Sequence, residues 1–267
     1  AQTCAEHEPE RDQRRALTRL FDHYAGAATA AMDVAYPKDT HRRPRRLRQS
    51  RPATAPADEA RATTWLDVEL ANLLDVASHA AHHGWPAHTV HLSATLSQHL
   101  ESRGHLIGAD RLHTEAVTAA RRLGDRPGEL AALNAAGLVQ RLRGRHEPAL
   151  HCIRQALDLA RDLGDRQGEL NAIRGLGNSQ HMRGHFTQAA DHYRPALVLA
   201  REIGDWGTEA DVLRGLGDIH RLRGEHAAAA DHYQQALHIA TAQGDRNREL
   251  HVLFGLGNVH YTRGQYE

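Results

Sequence analysis

The feature of this sequence that most restricts its fold is a period of 40 residues in its second half. A Gly-Asp pair recurs at Gly124-Asp125, Gly164-Asp165, Gly204-Asp205 and Gly244-Asp245, and an Arg-Gly pair recurs midway, at Arg103-Gly104, Arg143-Gly144, Arg183-Gly184, Arg223-Gly224 and Arg263-Gly264. Between these turns the apolar residues are spaced by three and four, which is typical of a helix. The period therefore predicts helical hairpins that cannot bury their apolar faces alone and must stack on one another.

The turn residues favour the same structure, because a glycine after a helix adopts the left-handed conformation without a Cβ penalty. Each following aspartate can accept a hydrogen bond from the next helix, which carries a glutamate in its first turn: Asp125 and Glu129, Asp165 and Glu169, Asp205 and Glu209, Asp245 and Glu249. Glycines also recur inside these helices, at Gly137, Gly177, Gly217 and Gly257. Each costs about 1 kcal/mol relative to alanine, so we expect them to let helix backbones approach closely.

Two periods resemble the tetratricopeptide repeat, which has Leu-Gly in its first helix and an Ala, aromatic, Ala ladder in its second. The matching residues are Leu176-Gly177, Gly184, Phe186, Ala189, Tyr193 and Ala196, and then Leu216-Gly217, Gly224, Ala229, Tyr233 and Ala236. Weaker copies contain Gly137, Ala149, Ile153 and Ala156, and Ala109, His113 and Ala116. The resemblance implies an all-α, right-handed superhelical solenoid of antiparallel helix pairs. The repeat here is longer than the common 34 residues, and HEAT-type arrays, which share the 40-residue period, lack this ladder.

Outside the repeats we expect an N-terminal helical segment over residues 1–36, with one amphipathic helix from residue 11 to residue 36. A basic linker rich in Pro, Ala and Arg follows over residues 37–62. Residues 63–102 are interpreted as a degenerate capping helix pair. The 40-residue repeats then occupy residues 103–267, the last of them incomplete.

The order of these segments resembles the C-terminal tetratricopeptide region of actinobacterial transcriptional regulators of the AfsR-like type, which carry a nucleotide-binding NB-ARC switch domain upstream. The residues that carry this resemblance are Tyr36-Pro37, the helix starting near Trp65-Leu66, the turn Gly84-Trp85-Pro86 and the repeats. The chain has no Gly-x-x-x-x-Gly-Lys-Ser/Thr phosphate loop. Since it also lacks an initiator Met and ends where a second helix should begin, we expect it to be a piece of a longer regulator.

Composition excludes several classes of protein. Lys and Arg number 33 against 33 Asp and Glu, which argues against a positive field over the whole surface. No apolar stretch approaches the roughly 20 residues that a membrane helix needs. Cys4 and Cys152 are the only cysteines, so a disulfide framework is excluded and a cytoplasmic location is expected.

A binding site is predicted on the first helices, which line the concave face in proteins of the resembling family. Residues spaced i, i+4, i+7 share one helical face. They are Asn134, Leu138 and Arg141; Arg174, Asn178 and His181; Arg214, Asp218 and Arg221; and Phe254, Asn258 and Tyr261. Asn can bind a peptide backbone and Arg can bind a carboxylate. We expect the partner to be a peptide or protein segment, or an NB-ARC-like domain of the same polypeptide.

Other interpretations have weaker support. The 22 histidines include a cluster at His79, His82, His83, His88 and His91, but no cysteine lies near it, so we expect no metal. Equivalent histidines in adjacent repeats, His192 with His232 and His220 with His260, could stack. Residues 41–48 form a basic run that could contact nucleic acid, although such a stretch is more often a solvated linker. No catalytic residues and no cofactor are predicted. A freestanding scaffold without a switch domain remains the alternative function.

Overall fold

The computed structural model of the protein describes residues 2–37 and 55–262, with side chains from residue 10 onward. These residues form helices and connecting turns, and no strand occurs among them. The helices are α1 (Gln2–Ala35), α2 (Glu59–His83), α3 (Pro86–Ser102), α4 (Leu106–Leu123), α5 (Arg126–Leu142), α6 (His146–Leu163), α7 (Arg166–Met182), α8 (Phe186–Ile203), α9 (Trp206–Leu222), α10 (His226–Ala242) and α11 (Arg246–Thr262). None of them combines the length and apolar character needed to cross a membrane. The predicted all-α helical repeat fold is confirmed.

The chain divides into two compact units, residues 1–145 and residues 146–267, called here the first and second units. In the first unit α1 packs against α2 and α3, and α3 packs against α4 and α5. In the second unit each helix from α6 to α11 packs against the next one in the chain, and α9 also packs against α7 and α11. Each unit is thus a stack of helices joined by short turns.

The N-terminal helix differs from its prediction, since α1 begins at Gln2 rather than at residue 11 and includes Pro9. Its inner face contributes Phe21, Ala28 and Met32 to the core of the first unit, where they pack with Leu66 and other residues of α2 and α3. The basic run at 41–48 lies outside the described residues. The predicted ranges of the basic linker (37–62) and of the capping helix pair (63–102) therefore stay predictions.

The predicted turn chemistry is confirmed. The glycines after α4, α6, α8 and α10 are left-handed, as Gly124 illustrates with a φ of 67°. The side chains of the four following aspartates then cap the next helix: Asp125 accepts from the N–H of Gly128, Asp165 from Gly168, Asp205 from Thr208 and Asp245 from Arg248. Arg-Gly turns reverse the chain between the two helices of each repeat, again with left-handed glycines such as Gly184.

Four of the glycines inside the first helices have a different role from the one predicted for such positions. A Cβ at Gly177 would lie 2.5 Å from the Tyr193 ring, and a Cβ at Gly215 would lie 2.9 Å from the other side of that ring. Tyr233 is related in the same way to Gly217 and Gly255, at 2.8 and 2.7 Å. The glycines therefore make room for a tyrosine ring rather than for a neighbouring backbone. Each ring packs on the first helix of its own repeat and on that of the next.

Candidate functional site

The predicted site residues of the second unit all lie at its surface, on the first helices α7, α9 and α11. Six of them define what we call the α7–α9 face: Arg174, Asn178, His181, Arg214, Asp218 and Arg221. All six are half-buried. On α11, Asn258 is half-buried, whereas the side chains of Phe254 and Tyr261 are 74% and 68% exposed. The helical spacing used in the prediction therefore selected exposed and half-buried positions rather than core positions.

Asp218 is the most heavily paired residue of the α7–α9 face. Its Oδ1 accepts a hydrogen bond from the hydroxyl of Tyr233 at 2.7 Å, and its Oδ2 accepts one from Arg214 Nη1 at 3.1 Å. Arg221 Nη2 approaches Oδ1 to 4.0 Å. Burial of the phenol, together with the carboxylate beside it, raises the pKa of Tyr233 far above its ordinary value. The hydroxyl thus stays protonated and keeps donating to Asp218.

Asn178 holds the equivalent position one repeat earlier. Its Oδ1 accepts a hydrogen bond from the hydroxyl of Tyr193 at 2.7 Å. The tyrosine that packs between the glycines therefore also fixes a surface side chain. The amide group of Asn178 has no other hydrogen bond among the described residues, so its two N–H donors are available to a ligand.

Three side chains of the α7–α9 face have unsatisfied nitrogen atoms. The Nε atoms of Arg174 and Arg221 are buried without a hydrogen-bond partner among the described residues, as is the Nε2 atom of His181. Arg174 approaches an acidic group only at 4.0 Å, between its Nη1 and Asp211 Oδ2. Burial lowers the pKa of His181, the charges of Arg214 and Arg221 lower it further, and Asp218 opposes them. His181 is therefore neutral at neutral pH.

A cleft of about 230 Å³ opens between α9 and α11, beside Arg214. It is lined by Ala210, Asp211, Arg214, Arg248, His251 and Val252. Arg248 Nε donates to Asp211 Oδ1 at 3.1 Å, its Nη1 pairs with Asp245, and its guanidinium lies 5.6 Å from the centre of the Trp206 ring. Burial acts to lower the pKa of Arg248, but the two carboxylates outweigh it and the pKa is raised.

Sequence reasoning missed Asp211, Arg248 and His251. The sequence does indicate Asp211 as a site residue, because it lies three residues before Arg214 and therefore shares its helical face. His251 stands 40 residues after Asp211, in the equivalent position of the next repeat.

The remaining predicted residues, Asn134, Leu138 and Arg141, lie on α5 in the first unit, and each is half-buried. Since they belong to the other compact unit, their place in a groove shared with α7 and α9 stays a prediction.

The histidine cluster of the first unit holds helices together. His91 Nε2 lies 3.0 Å from Thr29 Oγ1, and His88 Nε2 lies 2.9 Å from Asp22 Oδ1, so both join α3 to α1. The rings of His79 and His83, one helical turn apart on α2, stack with their centres 3.9 Å apart. Across residues 2–37 and 55–262 no group of three His, Cys, Asp or Glu side chains is arranged to hold a metal ion.

Two of the histidines named in the predicted pairs, one from each pair, stack on each other. His220 stacks on His232, with ring centres 5.1 Å apart and an angle of 18° between the rings. These two residues belong to the two helices of a single repeat, α9 and α10. The pairing of those two helices brings the rings together.

Comparisons with known proteins agree with this architecture. The model of the tetratricopeptide repeat matches residues 90–162, 168–242 and 208–267. No curated protein matches the sequence significantly. BtubC from P. vanneervenii, a solved structure, is 18% identical with a TM-score of 0.62, over 76% of this chain and 85% of that one.

Two further solved structures are similar. A Rap protein complexed with Competence and Sporulation Factor is 12% identical with a TM-score of 0.62, over 78% of this chain and 67% of that one. A signal transduction ATPase with numerous domains and a tetratricopeptide repeat sensor, from Pyrococcus horikoshii, is 14% identical with a TM-score of 0.50. That match covers 78% of this chain and 36% of the ATPase. Identities this low indicate a shared fold, and the repeat model covers most of the sequence. The chain belongs to the tetratricopeptide repeat family.

Proposed function

We propose that this chain is a protein-interaction module whose second unit binds a peptide or protein segment on the first helices. Stacked helical repeats leave extended surfaces of this kind, and proteins of such architecture use them for binding. The observation that carries the proposal is the pairing of Tyr193 with Asn178, because it holds a polar surface side chain in one orientation while leaving its amide donors available. A fixed donor loses little conformational entropy when a ligand binds.

The relatives support a regulatory setting for this binding. The Rap structure is a complex with a factor, and the ATPase from Pyrococcus horikoshii carries its repeats as a sensor. Together with the resemblance of the sequence to NB-ARC regulators, this supports a role as the sensor part of a larger protein. In such a protein the repeats would hold an attached switch domain closed until a ligand bound more tightly to the open form.

Selection from a displayed library of random peptides, with this chain immobilised, tests the binding proposal. We expect recovered peptides to bind in calorimetry, and we expect Asn178→Ala to weaken them about fivefold, as the loss of one hydrogen bond predicts. Gln234→Ala is the matched control, since Gln234 is an exposed amide on the second helix α10. Failure to recover any binding peptide, or equal weakening by both variants, would overturn the proposal.

A further inference from the structure

The arginines of the Arg-Gly turns form a row of contacts between successive repeats, called here the arginine row. Each of these side chains reaches back to a helix of the preceding repeat. Three of the four end on a carboxylate: Arg103 pairs with Asp67 of α2, Arg143 with Asp110 of α4, and Arg183 with Glu147 of α6. Each of these ion pairs joins two repeats within one compact unit.

Arg223 departs from the pattern. Its Nη2 donates to the hydroxyl of Thr187 on α8 at 2.9 Å, and no carboxylate lies within 4.0 Å of it among residues 2–37 and 55–262. Thr187 precedes its arginine by 36 positions, as Asp67 precedes Arg103. Glu147 stands at the equivalent position before Arg183. A hydroxyl therefore occupies the place of a carboxylate.

The surroundings of Thr187 suit a larger anionic group. Thr187 is exposed and lies in the first turn of α8, where N–H groups and the helix dipole favour negative charge. His185, the N-cap residue, makes no side-chain hydrogen bond to this turn, in contrast to the aspartates that cap α7 and α9. An open cleft of about 350 Å³ is lined by residues 184–188 and Arg223. There is thus room beside the hydroxyl.

We propose that Thr187 is a phosphorylation site and that its phosphate completes the arginine row by pairing with Arg223. A Ser/Thr protein kinase would supply the reaction. In it the Thr187 Oγ1 attacks the γ-phosphorus of a nucleoside triphosphate and forms an O–P bond. The bond to the β,γ-bridging oxygen breaks, the nucleoside diphosphate leaves, and the hydroxyl proton passes to the catalytic base of the kinase.

Phosphate fits this position better than the hydroxyl does. It carries a charge of about −1.5 to −2 at pH 7 and offers three acceptor oxygens. The guanidinium of Arg223 can bind two of them through parallel hydrogen bonds. The nearest carboxylate along α8, Asp191, is engaged by Arg194 at 3.0 Å. Modification would therefore tighten the junction between α8 and the turn after α9, which requires no bound peptide and goes beyond the proposed function.

Mass spectrometry tests the modification. The kinase is one that phosphorylates a synthetic peptide of residues 180–192, and it is applied with Mg-ATP to the folded chain. The tryptic peptide 184–201 contains two hydroxyl side chains, those of Thr187 and the buried Tyr193. We expect its phosphate on Thr187 and expect none in Thr187→Val. A folded chain that stays unmodified at Thr187 while the synthetic peptide reacts would overturn the proposal.

Thermal unfolding tests the pairing. We expect phosphorylation to raise Tm by about 2–4 °C, the size of shift that one charge-assisted contact gives in a chain of this length. Thr187→Glu should raise Tm by a smaller amount. Arg223→Gln, at an exposed position, should remove both increases. An unchanged Tm, or the same increase in Arg223→Gln, would show that the phosphate does not pair with Arg223 and would overturn the inference.

Discussion

The hydroxyl of Tyr193 donates a hydrogen bond to the side-chain oxygen of Asn178 across 2.7 Å. The ring that carries this hydroxyl packs between Gly177 and Gly215, so one side chain reaches from the interior of the stack to its surface. One repeat later Tyr233 repeats the arrangement with Asp218. The polar surface and the packing of the repeats are thereby connected through the same residue.

Removing only the hydroxyl separates these two roles. We expect Tyr193→Phe to keep the ring in place, to lower the free energy of unfolding by about 1 kcal/mol, and to weaken recovered peptides about threefold because Asn178 is no longer held. Calorimetric titration and urea denaturation measure the two effects. Tyr24→Phe, at a half-buried tyrosine of α1 in the first unit, should leave peptide affinity unchanged. An unaltered affinity in Tyr193→Phe would show that Asn178 needs no such support.

The glycine positions differ in how much room they have. In Gly217→Ala the new methyl group would lie 2.8 Å from the Tyr233 ring, so we expect a loss of about 1–3 kcal/mol from overpacking. In Gly257→Ala nothing lies within 4 Å, so the higher helix propensity of alanine should raise stability by up to about 1 kcal/mol. Circular dichroism during urea denaturation compares the two variants. Effects of the same sign would contradict this account of the glycines.

Acid should destabilise the first unit through its buried histidines. Burial lowers the pKa of His91 and of His113 to about 4, and the charge of His88 adds to the effect on His91. In the unfolded chain each titrates near its ordinary value of about 6.5. The contribution to stability is therefore complete above about pH 6.5 and is lost as the pH falls towards 4. At pH 5 we expect a loss of about 2 kcal/mol per histidine.

Tryptophan fluorescence can isolate that loss. In a Trp206→Phe background the remaining tryptophans, Trp65 and Trp85, both lie in the first unit. Urea denaturation between pH 7.5 and pH 5 should show a shallower pH dependence for His113→Gln than for the parent, whatever its absolute stability. His151→Gln, at an exposed position, should have the slope of the parent. A parent whose stability is the same at both pH values would exclude this role for the histidines.

The aspartate caps should contribute unequally. Asp165 caps α7 through the N–H of Gly168, and we expect Asp165→Ala to cost about 1 kcal/mol. Asp205 accepts from the N–H and the hydroxyl of Thr208 and also from Gln167, so Asp205→Ala should cost more. Thermal unfolding followed by circular dichroism ranks the two variants. An equal loss in both would mean that the additional bonds of Asp205 contribute nothing.

Much of the fold was accessible from the sequence because its signals are local. Gly124 and Asp125 specify the end of one helix and the start of the next by backbone conformation and capping alone, and the structure places both as expected. The apolar ladder predicted for the earlier of the two weaker repeat copies is also confirmed, since Ala109, His113 and Ala116 are all buried. The start of α1 was missed, because the helix was expected to begin at residue 11 and instead begins at Gln2.

The candidate site could be predicted only in part. Spacing selects a helical face, so Arg174 and Asn178 were identified as surface positions without any knowledge of their neighbours. It does not reveal which partner each side chain has: the saturation of Asp218 by Tyr233 and Arg214 depends on how α9 packs against α10. The pairing of Arg248 with Asp211 joins residues 37 positions apart and likewise required the tertiary structure.

The sharing of one tyrosine between two glycines bears on how such a chain can grow. The Tyr193 ring packs against Gly177 of its own repeat and against Gly215 of the repeat that follows. A tandem duplication of the α7–α8 repeat would therefore place the original tyrosine against a copy of Gly175, which occupies the position that Gly215 holds in the next repeat. The new junction would again offer a glycine to the tyrosine ring, so this contact would need no compensating substitution when the protein is lengthened.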